Sequence, residues 1–146
     1  MFEITTQNQH GLLMWAAQEI DNVERFKPDA KAIGQMRNGL IAGVVVFDNF
    51  SPYDVNVHVA SDGSKRWITK ELVYEVFAYP FVQLGLNRIT GLVAAKNEAA
   101  LRFNLHFGLK VEGRCRNALP DDDLIILGMI REECPYIPKE YRYGRR

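Results

Sequence analysis

The stretch from residue 67 to residue 109 constrains this chain more than any other. A helix-period segment, Trp67–Leu84, is followed by Gly85 and a short apolar run, Arg88-Ile-Thr-Gly-Leu-Val-Ala-Ala95. Next comes Asn97-Glu-Ala-Ala-Leu-Arg-Phe-Asn-Leu-His-Phe-Gly-Leu109. It reads as a helix opened by an Asn cap and closed by a Gly. Helix, strand, capped helix and glycine stop, in that order, commit this part of the chain to an α/β sheet.

The flanking segments extend the same pattern. Phe2–Thr5 fits a short strand, and Gly11–Val23 carries apolar residues at 12, 13, 16, 17, 20 and 23, a helical stripe ending near Pro28. Ala30–Arg37 and Leu40–Phe47 read as strands joined by Asn38-Gly39, a strong two-residue hairpin signal. After a loop at Asp48–Pro52, Tyr53–Ala60 is the next strand. The apolar positions 72, 73, 76, 77, 81 and 84 of the long helix face a core, and Pro80 should kink it near 76–80. Lys110–Ala118 and Leu124–Glu132 form a closing hairpin around Leu-Pro-Asp-Asp-Asp. The expected order is β-α-β-β-β-α-β-α-β-β in one domain, residues 1–138. A basic, aromatic and loosely ordered tail follows at 139–146.

At 146 residues the chain suits one domain with a real core. Eighteen basic and eighteen acidic residues cancel, so no global field argues for nucleic acid or an anionic membrane. The two cysteines, Cys115 and Cys134, have neither metal spacing nor a disulfide framework and are expected as reduced thiols. The N-terminus does not resemble a signal peptide, and the longest charge-free apolar run, Gly39–Phe47, is about half of what a membrane span requires. The expectation is a soluble cytoplasmic protein with no metal.

Asp54, Asn56 and His58 alternate with Val55, Val57 and Val59, giving this strand one polar and one apolar face. A central strand covered on both sides should be apolar throughout, so a polar row suggests a wet cleft; a second face that simply meets solvent is the alternative. His58, with a near-neutral imidazole, is the best general-base candidate. His10 and His106 lack partner spacing and are expected at the surface or at caps. Cys115, on an expected inner strand, reads as a packed thiol. Glu71 favours the dipole of the helix start, and Asp121-Asp122-Asp123 reads as a solvated hairpin tip. Arg142, Arg145 and Arg146, with Tyr141 and Tyr143, make a small basic aromatic end that could touch RNA.

The element order and five local strings together resemble the GNAT N-acetyltransferase superfamily. The likeness is closer to the subgroup that acetylates the N-termini of ribosomal proteins. The strings are Thr69-Lys-Glu-Leu72, Gly85-Leu-Asn-Arg88, Asn97-Glu-Ala-Ala-Leu-Arg102, Gly108-Leu-Lys-Val-Glu-Gly-Arg114 and the run Asp123–Glu133. The resemblance implies a mixed, mostly antiparallel, splayed sheet with helices on both faces. It implies acetyl-CoA, as co-substrate, wedged between the strands Tyr53–Ala60 and Arg88–Ala95. The pyrophosphate would sit on backbone amides at the start of the long helix, at Ser64, Lys65, Arg66, Trp67, Ile68 and Thr69. The pantetheine arm would follow the backbone around Val57 and Val59 and meet Asn97.

Two departures stand out. The family's pyrophosphate loop usually reads Arg/Gln-x-x-Gly-x-Gly/Ala, whereas both small positions are filled here, one of them by Trp67. Lys65 and Arg66 could supply charge in place of amide contacts, or Trp67 could close the loop. The tyrosine that protonates the leaving thiolate in many relatives is matched by Asn104, which can hydrogen-bond but cannot act as an acid.

The expected activity is transfer of an acetyl group to a primary amine by direct attack on the thioester, with a small-molecule or peptide acceptor. His58 would take the proton, with Asp54 nearby and Asn104 in the cleft. An α-amine fits better than a lysine, because a pKa of about 7.7–8.0 demands less of a weak base than about 10.4. A homodimer through sheet edges is compatible with the resemblance; nucleic-acid and membrane partners are not expected. The rival readings are a non-catalytic GNAT-fold protein that binds a protein partner or acts as an assembly factor, and an RNA-associated protein.

Overall fold

The computed structural model describes residues 1–20, 23–64 and 66–143. Seven strands form a single mixed sheet in the order β1-β2-β3-β4-β5-β7-β6. They are β1 (Phe2–Thr5), β2 (Lys31–Arg37), β3 (Leu40–Asp48), β4 (Asn56–Ser61), β5 (Arg88–Ala94), β6 (Lys110–Leu119) and β7 (Asp122–Ile130). Helix α1 (Gln9–Glu19) precedes β2, α2 (Lys70–Ala78) joins β4 to β5, and α3 (Glu98–His106) joins β5 to β6. Every neighbouring pair is antiparallel except β4–β5.

Topology fixes which face each helix covers. β4 and β5 are parallel, and β5 and β6 also run the same way because both oppose β7. Both crossovers progress toward the β6 edge, so the right-handed rule puts α2 and α3 on one face. There Trp67, Leu72 and Phe77 pack with Val45, Phe47, Ile89, Val93 and Leu127. On the opposite face Leu12 and Ala16 of α1 pack with Ala32, Val44, Val46 and Ala60. From Val44 to Phe47, β3 alternates between the two layers, as a period of two requires, and a bulge at Ala42 breaks the alternation before it.

All the expected strands and helices are present in the expected order, and the differences lie at their ends. β4 begins at Asn56 rather than Tyr53, because residues 51–54 close into a turn. Ser51 N–H donates to the Asp54 carbonyl at 2.9 Å, and the Ser51 hydroxyl oxygen accepts from Asp54 N–H at 3.1 Å. The long helix starts at Lys70, where Thr69 is the cap and its hydroxyl oxygen accepts from Leu72 N–H at 3.1 Å. The kink expected at Pro80 takes the form of a π turn, Tyr79–Gln83, closed by Leu84 N–H to the Tyr79 carbonyl at 3.0 Å. Asn38 and Gly39 both have positive φ (52° and 82°), as the primed hairpin turn demands.

One expectation is corrected. Cys115 is exposed rather than packed, because β7 inserts between β5 and β6 and leaves β6 at the sheet edge. After β7, Lys139–Tyr141 form a 3-10 turn and the Arg142 guanidinium donates to the Ile137 carbonyl at 3.2 Å. Arg145 and Arg146 lie outside the described residues. Among the described residues no helix is long and apolar enough to cross a membrane.

Candidate active site

β4 and β5 pair only at Asn56–Thr90 and Val57–Gly91, although β4 continues to Ser61 and β5 to Ala94. β4 stays bound to β3 as far as Ser61, while β5 stays bound to β7 along its whole length. The sheet therefore splits into two halves that diverge from Val57 onward. The Val55 carbonyl accepts from Thr90 N–H at 2.9 Å, so the odd-numbered residues of β4 direct their backbone groups toward β5. Val59 thus turns an N–H and a carbonyl into the split with no strand partner.

A cavity of about 130 Å³ occupies the split. Val57, Val59, Leu92 and Val93 line it from the strands, Ile68, Leu72 and Val76 from the α2 side, and Phe103, Asn104 and Phe107 from α3. Among the described residues around it, His58 alone has an ionisable side chain. His58 and Leu92 belong to the α1 face of the sheet and Trp67 and Val93 to the opposite face, so the cavity passes through the sheet plane.

The carboxylate that touches His58 is Asp48, not Asp54. His58 Nε2 lies 2.7 Å from Asp48 Oδ1, a diagonal contact across the β3–β4 ladder, in which Asp48 is the register partner of Asn56. With a carboxylate on Nε2, that nitrogen carries the hydrogen and Nδ1 is left as the basic atom. The Phe26 ring stands 5.4 Å from the imidazole. Asp54 instead accepts from the Thr90 hydroxyl at 2.8 Å and lies 3.6 Å from Arg88 Nε, at the closed end of the split. Arg88 also donates to Glu112 at 2.8 Å, and this hydrogen bond, then the charges of Glu112 and Asp54, holds its guanidinium above its ordinary pKa. Nothing in the sequence singled out Asp48; only the β3–β4 register brings it to His58.

Of the residues expected in the pyrophosphate loop, Trp67 and Ile68 line the cavity, whereas Ser64, Arg66 and Thr69 lie outside it. Lys65 falls outside the described residues. The Trp67 indole points into the core and is only 5% exposed. It rests on Gly43 of β3, where an added Cβ would overlap three of its ring atoms. Asp62 Oδ1 accepts from Ser64 N–H at 2.9 Å and from its hydroxyl at 2.6 Å, contacts that lower the Asp62 pKa. Beyond Thr69, the first-turn amides of Lys70 and Glu71 have no intrahelical acceptor, while Arg66 is exposed.

On the other wall, Asn104 donates to the Ala100 carbonyl at 2.8 Å and leans over Gly91. A Cβ on Gly91 would come within 2.8 Å of Asn104 Oδ1, so α3 approaches β5 this closely only because residue 91 is glycine. Asn97 caps α3, its side-chain oxygen accepting from Ala100 N–H at 3.1 Å, and it does not line the cavity.

The split suits a long, thin ligand carrying amides and an anionic end. It offers unpaired backbone on β4, apolar walls and a helix N-terminus at its rim.

Comparisons with solved structures identify this architecture. The spermidine N-acetyltransferase SpeG of Vibrio cholerae (N152L mutant) superposes with a TM-score of 0.74 at 12% identity, over 95% of this chain and 98% of that one. The ribosomal-protein-S18-alanine N-acetyltransferase of Escherichia coli gives 0.68 at 16% identity, over 89% and 94%. The structure of yncA from Salmonella typhimurium with its cofactor acetyl-CoA gives 0.65 at 13% identity, over 88% and 93%. Against a longer protein described as a "Probable acetyltransferase" the chain spans 64% of the other's length. No family model and no curated protein matches the sequence. The chain has the GNAT fold, with the splayed sheet and helices on both faces that the resemblance implied.

Proposed function

We propose that this protein is an acetyl-CoA-dependent N-acetyltransferase acting on a primary amine, an α-amine of a small molecule or peptide being the best acceptor. The observation that carries this assignment is the split between β4 and β5, with His58 as the one ionisable side chain among the described residues of its wall. Acetyl-CoA would supply the activated acetyl thioester. Val59 would present its backbone to the pantetheine and its N–H to the thioester oxygen, whereas Val57, whose backbone pairs with β5, would contribute only its side chain to the wall. Residues 64–69 would face the diphosphate. Asn97, spent partly on its cap, would keep its Nδ2 group for the ligand.

His58 Nδ1 would accept the proton released by the attacking amine, while Asp48 holds the ring and stabilises the imidazolium. Asp54, locked to Thr90 and Arg88, would shape the acceptor side of the closed end rather than touch His58. Asn104 would hydrogen-bond the sulfur but supply no proton. The carbon–sulfur bond breaks as the carbon–nitrogen bond forms, and the thiolate leaves as a stable anion or is reprotonated by solvent or His58. Such chemistry would place the protein in the cytoplasm, with its co-substrate.

The test is calorimetric titration with acetyl-CoA and coenzyme A, followed by an acetylation screen over α-amines, polyamines and lysine peptides. Micromolar binding and an acceptor whose turnover is lost in His58→Ala are expected. Absence of any coenzyme A binding would overturn the assignment and leave the partner-binding alternative.

A further inference from the structure

Resting on the acyltransferase assignment above, we infer that Trp67 is a positioning residue for the diphosphate end of an acyl-CoA. Gly43 is the socket that lets it work. A loop that approaches phosphates with bare backbone ordinarily needs small residues, because a Cβ and the atoms beyond it stand between chain and ligand. Here a large residue occupies such a position and turns its side chain the other way. The indole is buried among Val45, Leu72 and Phe77 on the α2 face. An added Cβ on Gly43 would run into its Cζ3, Cε3 and Cη2 atoms, so the ring covers that glycine.

The rest of the segment is held from the same side. Asp62 N–H donates to the Ala42 carbonyl at 2.9 Å, next to the socket, and the Asp62 carboxylate holds Ser64. Arg37 of β2 adds an ion pair to Asp62 at 3.3 Å. Thr69 caps α2 at the other end. The segment is thus held to β3 by Asp62 at its start and by Trp67 in its middle, and Thr69 fixes its end to α2. Its outward side is free of the indole. Trp67 also lines the cavity itself, so the same ring sets the height of the loop and one wall of the split.

The sheet alternation supports a dedicated socket. Val45 and Phe47, on the same face of β3, both carry side chains packed in this core, and only position 43 is bare. Gly43 pairs with Gln35 on β2 and with Ser61 on β4, between the bulge at Ala42 and the run Val44–Val46. The bulge tolerates a glycine at this position, and the indole fills the space that its missing side chain leaves.

The test uses the full chain and three variants: Trp67→Ala, Gly43→Ala and the double variant. Circular dichroism and thermal unfolding confirm that each is folded. Coenzyme A affinity is measured by calorimetry. Turnover is measured with acetyl-CoA and with S-acetyl-N-acetylcysteamine, a thioester that lacks the diphosphate. Each single variant is expected to lose ~10-fold or more in coenzyme A affinity, the scale of one hydrogen bond to a charged group. The loss in kcat/KM should be ~10-fold greater for acetyl-CoA than for the truncated thioester. The double variant should be no worse than Trp67→Ala, because without the indole the methyl added at position 43 meets nothing.

Equal or tighter coenzyme A binding by Trp67→Ala would overturn the inference and make the indole a plug or a bystander. So would equal losses on the two thioesters. If Trp67→Ala does not fold, Gly43→Ala decides alone, since it displaces the ring without emptying the core. Failure of the wild type to bind coenzyme A would overturn the enzyme assignment together with this inference. Wild-type binding with unaffected variants would overturn only the inference.

Discussion

His58 Nε2 and Asp48 Oδ1 lie 2.7 Å apart on adjacent strands, at the point where β4 leaves β5. Both side chains are about four-fifths buried, at 17% and 23% exposure, so their contact is shielded from competing water. If this pair accepts the amine proton, His58→Ala should lower kcat/KM by about 10²-fold or more, within the range of general-base catalysis. Asp48→Asn, which keeps shape but loses the charge, should cost roughly 10–100-fold, as orienting partners of a functional histidine do. Steady-state kinetics over amines of graded basicity checks the role. The defect should shrink for less basic amines, which reach their neutral form without help. A uniform loss over the series would make His58 structural.

The fold is legible in the sequence because several local signals agree. The Asn38-Gly39 turn, the Asn97 cap and the Gly108 stop each fix one boundary by backbone chemistry that is independent of the rest of the molecule. The polar-apolar alternation at 54–59 marks the strand β4, and of its polar row only His58 lines the cavity. The contacts that escape a reading of the sequence are set by tertiary register. Asp48 reaches His58 only through the β3–β4 ladder, and Asp54, two residues from Asn56 in sequence, is carried away by the 51–54 turn. The direction of the Trp67 side chain depends on a glycine far earlier in the chain, Gly43. Cys115 lies at an edge because β7 inserts between β5 and β6, which no local pattern states.

Gln35 occupies a fully buried position opposite Gly43, and its Nε2 and Oε1 atoms find no hydrogen-bond partner among the described residues. Burying an amide without partners costs about 1–3 kcal/mol. Gln35→Met keeps the length and removes the polar atoms, so it should stabilise the protein by about 1 kcal/mol or more. Urea unfolding at neutral pH measures this directly. A loss of stability would mean that the amide is satisfied by ordered water worth keeping.

The two thiols should differ sharply in reactivity. Cys134 is fully buried, and that burial pushes its thiol above the ordinary value of 9.0. Cys115 is exposed on the edge strand β6. Iodoacetamide at mildly alkaline pH should therefore modify Cys115 in the native protein and leave Cys134 untouched until the chain unfolds. Peptide mass spectrometry after timed quenching reads both sites. Early labelling of Cys134 would show that the segment after β7 opens readily.

Asp123 links acid stability to the β6–β7 hairpin. Its carboxylate accepts from Asn117 N–H at 2.8 Å and from Arg114 Nε at 2.7 Å, and these contacts, in that order, hold its pKa below the ordinary 3.8. A group with a lowered folded pKa binds its proton more readily when the chain is unfolded. Its stabilisation is therefore complete above 3.8 and is lost as the pH falls through the lower, folded value. Asp123→Asn should accordingly melt at a lower temperature than the wild type at neutral pH. The gap between the two should close as the pH drops below 3.8, and it should narrow with added salt because the Arg114 partner is 58% exposed. Thermal melts of both proteins from neutral pH downward test the sign. A gap that stays constant with pH would assign the loss to the Asn117 turn geometry instead of the charge.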